Sequence, residues 1–270
     1  MKTMTSNRNG YFIGIVLLAW ILIITVSNHL ASNRIDHSAL RKLRRMALLS
    51  APINRQILLT ASNSSDNKKF YSKVKLEAHC PIKLRIGGDG DGGKYVCNPE
   101  AVKDDCTLVS LGLCNSISYD QEIYNVTGKK CKMLGADVDA QNNKTQSDYS
   151  AMGGQLFTGR IPTEITIPDI LHKAGRREVE ILKIDIESGE FTSLEPLIKD
   201  HFVCQILIEV HGTPQMHLQM LQTMARYGFR IFNVDPNPLC PSCCEYSVIN
   251  ELCMPQFGVT PLGITIPQPK

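Results

Sequence analysis

The sequence predicts an α/β fold, a doubly wound and mostly parallel sheet with helices on both faces. Three observations carry this expectation. Apolar runs of strand length recur from Cys106 onward, helical patterns separate them, and the strands are apolar almost without interruption. A strand that alternates polar and apolar residues keeps one face in water. An uninterrupted apolar strand is buried on both faces, as in a parallel sheet under two layers of helix.

The elements follow in order. CTLVSLGL (106–113) reads as a buried strand and SYDQEIYNV as the helix after it. CKMLGADVD (131–139) is a second strand. ITIPDILHKAG contains a helix that stops at Gly175, and VEILKIDIE (179–187) is the next strand. LEPLIKD supplies a helical turn or two before the strand CQILIEVHG (204–212). MHLQMLQTMARYG is a helix with a glycine stop, and FRIFNVD is the strand that follows it. There is no internal repeat.

At 270 residues the chain accommodates one domain with appendages. Its net charge is only +3, and most of the positive excess lies between Arg34 and Arg55, so nothing suggests a nucleic-acid partner. Tyr11 to Val26 is a run of 16 residues without a charge, intermediate between a signal-peptide core and a full membrane span. His29 falls where a cleavage site wants a small residue. An uncleaved transmembrane signal anchor over 11–30 is therefore expected, after a cytosolic tail at 1–10. Residues 31–79 are basic, then polar, and read as a stem that includes a short amphipathic helix, ALRKLRRMALL. The ordered domain is expected over 80–270.

Two signals compete over orientation. Arg34, Arg41, Lys42, Arg44 and Arg45 would hold the following segment in the cytosol by positive-inside counting. Against them stand 10 cysteines and the sequons at Asn63, Asn125 and Asn143. Cys240, Cys243, Cys244 and Cys253 crowd one segment, as in an oxidised lumenal protein. CPSCC has zinc-like C-x-x-C spacing, but no matching second pair completes a site. The C-terminal side is taken as lumenal, in the secretory pathway.

Ligands of open α/β sheets bind beyond the carboxyl ends of the strands, so the residues found there matter most. After the first strand, Gly112 allows a tight turn and close backbone approach, and Asn115 precedes the helix. The loop is neither G-x-G-x-x-G nor a P-loop, which argues against an ordinary dinucleotide or nucleoside triphosphate. The second strand ends in ADVD, and an acidic residue there can take the vicinal hydroxyls of a ribose. Asp185 and Glu209 each close a later apolar run. Strand alternation lets Asp185 and Glu187 point together, as Glu209 and His211 do. Such a group suits positioning a hydroxyl acceptor and removing its proton. Taken singly, each has a plainer reading: Asp137 as a strand ending, Glu187 as a helix cap, His211 as a structural histidine.

These residues resemble the FkbM-type methyltransferases, and within them a membrane-anchored, methyltransferase-like branch. The similarity runs from Cys80 to Phe232 through GDGDGGKYVC, LVSLGLCNSISYDQEI, GADVD, ITIPDIL, LKIDIESGEF and ILIEVHG. LKIDIESGEF, similar to a K-I-D-x-E-G-x-E signature, is the most specific, with Ser188 in place of the signature's glycine. The resemblance implies a Rossmann-like fold, S-adenosylmethionine as methyl donor and a hydroxyl acceptor, either a small molecule or a glycan. It places Gly112 and Asn115 by the methionine part of the cofactor, Asp137 at the ribose and Asp185 beside the sulfonium and acceptor. Asp185, Glu187, Glu209 and His211 are the candidate catalytic residues. No metal is required by this chemistry, although the acidic residues could bind one. A lumenal glycosyltransferase using Asp137 and Asp139, or Asp89 and Asp91, as a D-x-D metal site is the competing enzyme. A non-catalytic glycan- or protein-binding domain of the same fold is the third reading.

Overall fold

The apolar runs form strands where they were expected, and the order in which those strands pair decides where a ligand can lie. The structure is a computed structural model that describes residues 38–88 and 92–268. The chain divides into two units, Met1–Met46 and Ala47–Lys270. In the first, residues 38–46 are helical. The expected anchor at 11–30 lies outside the described residues, and among the described residues no helix is long and apolar enough to cross a membrane.

The second unit begins with α1 (47–62), α2 (Asn67–Tyr71) and the short β1 (Ala78–His79). A hairpin of β2 (Lys83–Ile86) and β3 (Lys94–Cys97) precedes the main sheet. Then come β4 (Thr107–Leu111), α3 (Ser118–Val126), β5 (Lys132–Asp137), α4 (Asn143–Ala151) and β6 (Gln155–Thr158). They are followed by α5 (Ile167–Lys173), β7 (Glu178–Ile184), α6 (Glu190–Asp200), β8 (Phe202–His211) and α7 (Pro214–Arg226). β9 (Phe229–Pro236), β10 (Cys243–Asn250) and β11 (Thr260–Pro261) complete the chain, with β11 antiparallel to β1.

The seven-stranded sheet has the order β6-β5-β4-β7-β8-β10-β9. β4 pairs in parallel with β5 and β7, β5 with β6 and β7 with β8, whereas β10 is antiparallel to β8 and β9. Growth of the sheet reverses at β4: β5 and β6 extend it one way, β7 and β8 the other. A crevice opens at such a switch point because the loops leaving β4 and β7 turn to opposite faces.

Side chains alternate between two apolar layers. Val109, Leu111, Leu182, Ile184, Ile206 and Ile208 pack with residues of α5, α6 and α7. Leu108, Met133, Ile181 and Leu207 pack with residues of α3, α4 and β3. Helices thus cover both faces, as the uninterrupted apolar strands require. α5 shows how sequence sets an element's ends: Thr166 and Asp169 form a reciprocal capping box at its start, and Gly175 stands just beyond its end with φ +67.

The domain starts earlier than Cys80. Leu58 on α1 and Phe70 on α2 are fully buried, and both belong to the same apolar layer as α5 to α7. The stretch read as stem therefore supplies core from residue 47 onward, and its polar surface residues had masked the few apolar ones. α4 and β6 carried no hydrophobic pattern and were not anticipated. Nor was β10, which enters the sheet between β8 and β9 with all its residues buried. The cysteines near it form Cys240–Cys243 and Cys204–Cys253, beside Cys80–Cys97 and Cys106–Cys131, while Cys114 and Cys244 are free.

Candidate active site

At the switch point the backbone itself demands glycine. Gly112 has φ +78, and a Cβ there would overlap the carbonyl oxygen of Asp185 on the neighbouring strand. The ends of β4 and β7 therefore meet backbone to backbone, with Asp185 N donating to Leu111 O at 3.2 Å. Cys114 and Asn115 continue the loop at positive φ (48° and 58°), a conformation costly for side chains other than glycine. Lys183 holds it from below, its buried ammonium donating to Gly112 O at 3.3 Å.

A cavity of about 420 Å³ opens there, lined among others by Gly112, Cys114, Asp137, Arg160, Asp185 and Glu187. Asp137, at the end of β5, accepts from Cys114 N at 2.6 Å through Oδ2 and from Asp139 N at 3.4 Å through Oδ1. Asn115 also has a structural part. Its N–H donates to Gln141 Oε1 and its Oδ1 accepts from Asn142 N, so it ties the β4 loop to the β5 loop beside the cavity.

Behind Asp185 lies a buried ion cluster that the strand-end reading only half anticipated. Lys94 on β3, 1% exposed, has its ammonium 2.7 Å from Glu245 Oε1, 3.5 Å from Asp185 Oδ2 and 3.6 Å from Glu209 Oε2. Glu209 and Glu245 are directly opposite in the antiparallel pairing of β8 with β10. Two like charges at that spacing repel, and Lys94 between them makes the arrangement tenable. Burial opposes charge on Lys94, yet Glu245, Asp185 and Glu209 hold its pKa above the usual lysine range. Burial also opposes the Asp185 charge, but Lys94 and Lys183 keep its pKa below the ordinary value. Glu209 is pushed up to about 7 by burial and by the charge of Asp185. Its Oε1 also accepts from Asn237 Nδ2 at 2.9 Å.

His211 and Glu187 form the outer part of the site. His211 Nε2 is 3.5 Å from Glu187 Oε2, and Nδ1 is 3.1 Å from Oε1 of the fully buried Glu190. That hydrogen bond, with the charges of Glu190, Glu187 and Asp185, raises the His211 pKa to about 9 against the effect of burial. Glu187 and Ser188 both take positive φ, 52° and 75°, where β7 turns into α6. All four proposed catalytic residues are thus neighbours, although only Asp185 and Glu187 line the cavity. Lys94, Glu190 and Glu245 went unassigned in the sequence. An isolated lysine in the apolar strand KYVC was the available signal for the first.

A second, larger cavity of about 1020 Å³ opens past the end of β8, lined by Asn67, Tyr71, Gly212, Thr213, Asn237 and Ser242 among others. Asn237 joins its wall to Glu209.

Among solved structures, the chain is similar to a precorrin-6y C5,15-methyltransferase from Geobacter metallireducens, with 8% identity and TM-score 0.40 over 57% of this chain and 84% of that one. A human methyltransferase 10 domain containing protein matches with 11% identity and TM-score 0.40, over 61% of this chain and 76% of that one. TrmK of M. capricolum, solved with S-adenosyl-homocysteine, matches with 14% identity and TM-score 0.38, over 57% and 65%. No curated protein matches the sequence significantly. The family model described as the methyltransferase FkbM domain matches residues 45–231, well over half the chain and beginning close to where the packed unit begins. The chain belongs to the FkbM methyltransferase family.

Proposed function

We propose that this protein is an O-methyltransferase that moves a methyl group from S-adenosylmethionine to a hydroxyl acceptor. The observation that carries this reading is the Asp185–Glu209 pair, two carboxylates at adjacent strand ends that share Lys94, the first lining the smaller cavity and the second joined through Asn237 to the wall of the larger one. The first cavity suits the cofactor. Gly112 allows close backbone approach, Asp137 offers carboxylate oxygens to a ribose diol, and Asp185 offers negative charge to a cationic centre. The cofactor, when bound, supplies an electrophilic methyl group on a sulfonium. The protein's task is then alignment and proton removal. An acceptor in the second cavity would reach Glu209 past Asn237 in its wall, and the ionised Glu209 carboxylate takes the hydroxyl proton. Lys94 and Asn237 keep that carboxylate in place.

The D-x-D reading has less support. Asp137 already accepts one backbone N–H from the β4 loop and one from its own loop, and the Asp89–Asp91 motif lies outside the described residues. The proposed setting is the lumen of the secretory pathway, with the 11–30 segment as membrane anchor and a glycan hydroxyl as acceptor. Four disulfides and the exposed positions of Asn63, Asn125 and Asn143 favour an oxidising, glycosylating compartment.

Calorimetric titration with S-adenosylmethionine, followed by transfer of a labelled methyl group to a glycan pool, tests the proposal. Asp137→Ala is expected to weaken cofactor binding about tenfold or more, the loss of a charged acceptor worth ~1.5–3 kcal/mol. Glu209→Gln is expected to retain cofactor affinity and lose turnover about 10²-fold or more. Stabilisation by manganese with a nucleotide sugar, and none by S-adenosylmethionine, would instead identify a glycosyltransferase. Cofactor binding with no transfer to any hydroxyl acceptor would identify a binding domain.

A further inference from the structure

We propose that Asp185, Glu187 and His211 form a divalent-cation site at the mouth of the cleft, through which a chelating acceptor is held. The three residues come from the ends of the neighbouring strands β7 and β8, and one ligand atom from each lies within 4.8 Å of the others. A cation needs its donors on one side and room on the other. Glu187 is 86% exposed in its side chain, so the open side faces solvent and incoming substrate.

A separate observation concerns the residue behind the histidine. Glu190, in the first turn of α6, is fully buried, and its Oε1 accepts from His211 N at 3.2 Å while lying 3.1 Å from His211 Nδ1. Its other oxygen, Oε2, has no hydrogen-bond partner among the described residues. A buried carboxylate with an unused oxygen is costly unless positive charge lies close by. A carboxylate bonded to one ring nitrogen is also the usual support behind a metal-binding histidine, and a cation arriving at the other nitrogen displaces the proton it carries. Here that other nitrogen, Nε2, faces Glu187. Lys94 does not serve in its place, because it is already shared among Asp185, Glu209 and Glu245 on the inner side of Asp185.

Two carboxylates and one imidazole suit manganese or a similar ion, and three protein ligands leave positions for water and substrate oxygens. This inference rests on the methyltransferase reading and adds an acceptor class to it. The acceptor would carry two adjacent oxygens, as in a vicinal diol or a hydroxyl beside a carboxylate. Coordination would acidify the hydroxyl to be methylated and hand its proton to Glu209.

The test is Mn²⁺ binding to the full chain, with free Mn²⁺ counted by electron paramagnetic resonance. One saturable ion per chain is expected. Glu187→Gln, at an exposed position, and His211→Ala should each weaken binding about tenfold or more, and Glu190→Gln by about tenfold. Absence of saturable binding overturns the proposal, as does wild-type affinity in Glu187→Gln and His211→Ala. Cofactor titration on the same samples separates the two readings. Cofactor bound without Mn²⁺ sinks only the cation site, whereas Mn²⁺ bound without cofactor sinks the methyltransferase reading.

Discussion

Ser188 shows how a single residue departs from its family's pattern and what that costs. The signature has glycine at this position, where the backbone has φ +75, and here a serine adopts it. Gly189 does not relieve the strain, because its own φ is −67; it is glycine because a Cβ would come within 2.9 Å of Ile161 O. Ser188→Gly is therefore expected to stabilise the protein by about 1 kcal/mol, read as a higher urea midpoint with unchanged slope. His217 gives a second residue-level prediction. Its Nε2 is 3.1 Å from Ser242 O, so Nε2 carries the hydrogen, and Nδ1 accepts from the Tyr246 hydroxyl at 3.1 Å. Burial lowers its pKa to about 4 from the ordinary 6.5. A lowered histidine pKa means stability fully present above 6.5 and lost as pH falls through 4, up to about 3 kcal/mol. Urea melts between pH 7 and 4 should show this slope, and His217→Gln should flatten it.

At the scale of elements, much was legible. The strands ending in Asp137, Asp185 and Glu209 were readable because a carboxylate closing an apolar run needs a reason to be there. Their neighbours were not readable to the same degree. β10 had no recognisable pattern because its segment, CCEYSVIN, mixes cysteines, a charge and apolar residues; Glu245 is acceptable inside only because Lys94 arrives from a hairpin 151 residues earlier. β10 is also tied down covalently: Cys253, in the turn just after it, bonds Cys204 on β8. Replacing both by serine is expected to cost about 2–5 kcal/mol in chemical denaturation. An unchanged midpoint would mean that strand pairing alone holds this edge.

For the whole molecule, the decisive fact is how early the packed unit begins. Leu58 and Phe70 are fully buried, so removing everything before Cys80 would strip α1 and α2 from one apolar layer. A chain starting at Ala47 is expected to melt in one cooperative transition by circular dichroism. A chain starting at Cys80 is expected to aggregate or lack that transition, since several large buried side chains would leave their contacts at about 2–5 kcal/mol each. Soluble, cooperative folding of the shorter chain would show that α1 and α2 are accessory.

Local sequence patterns were enough for the fold class, the order of most strands and helices, and the carboxylates at the strand ends. These follow from local patterns: periodicity reports burial, and glycines and acids mark the turns. Folding in three dimensions is what joins Lys94 to Asp185, Glu209 and Glu245 and sets Glu190 behind His211. It also decided that Asn115 braces a loop and that α1 and α2 belong to the core. Those outcomes depend on which strands and loops meet in space. A buried charge is settled by the partner that folding brings to it, and no local pattern names that partner.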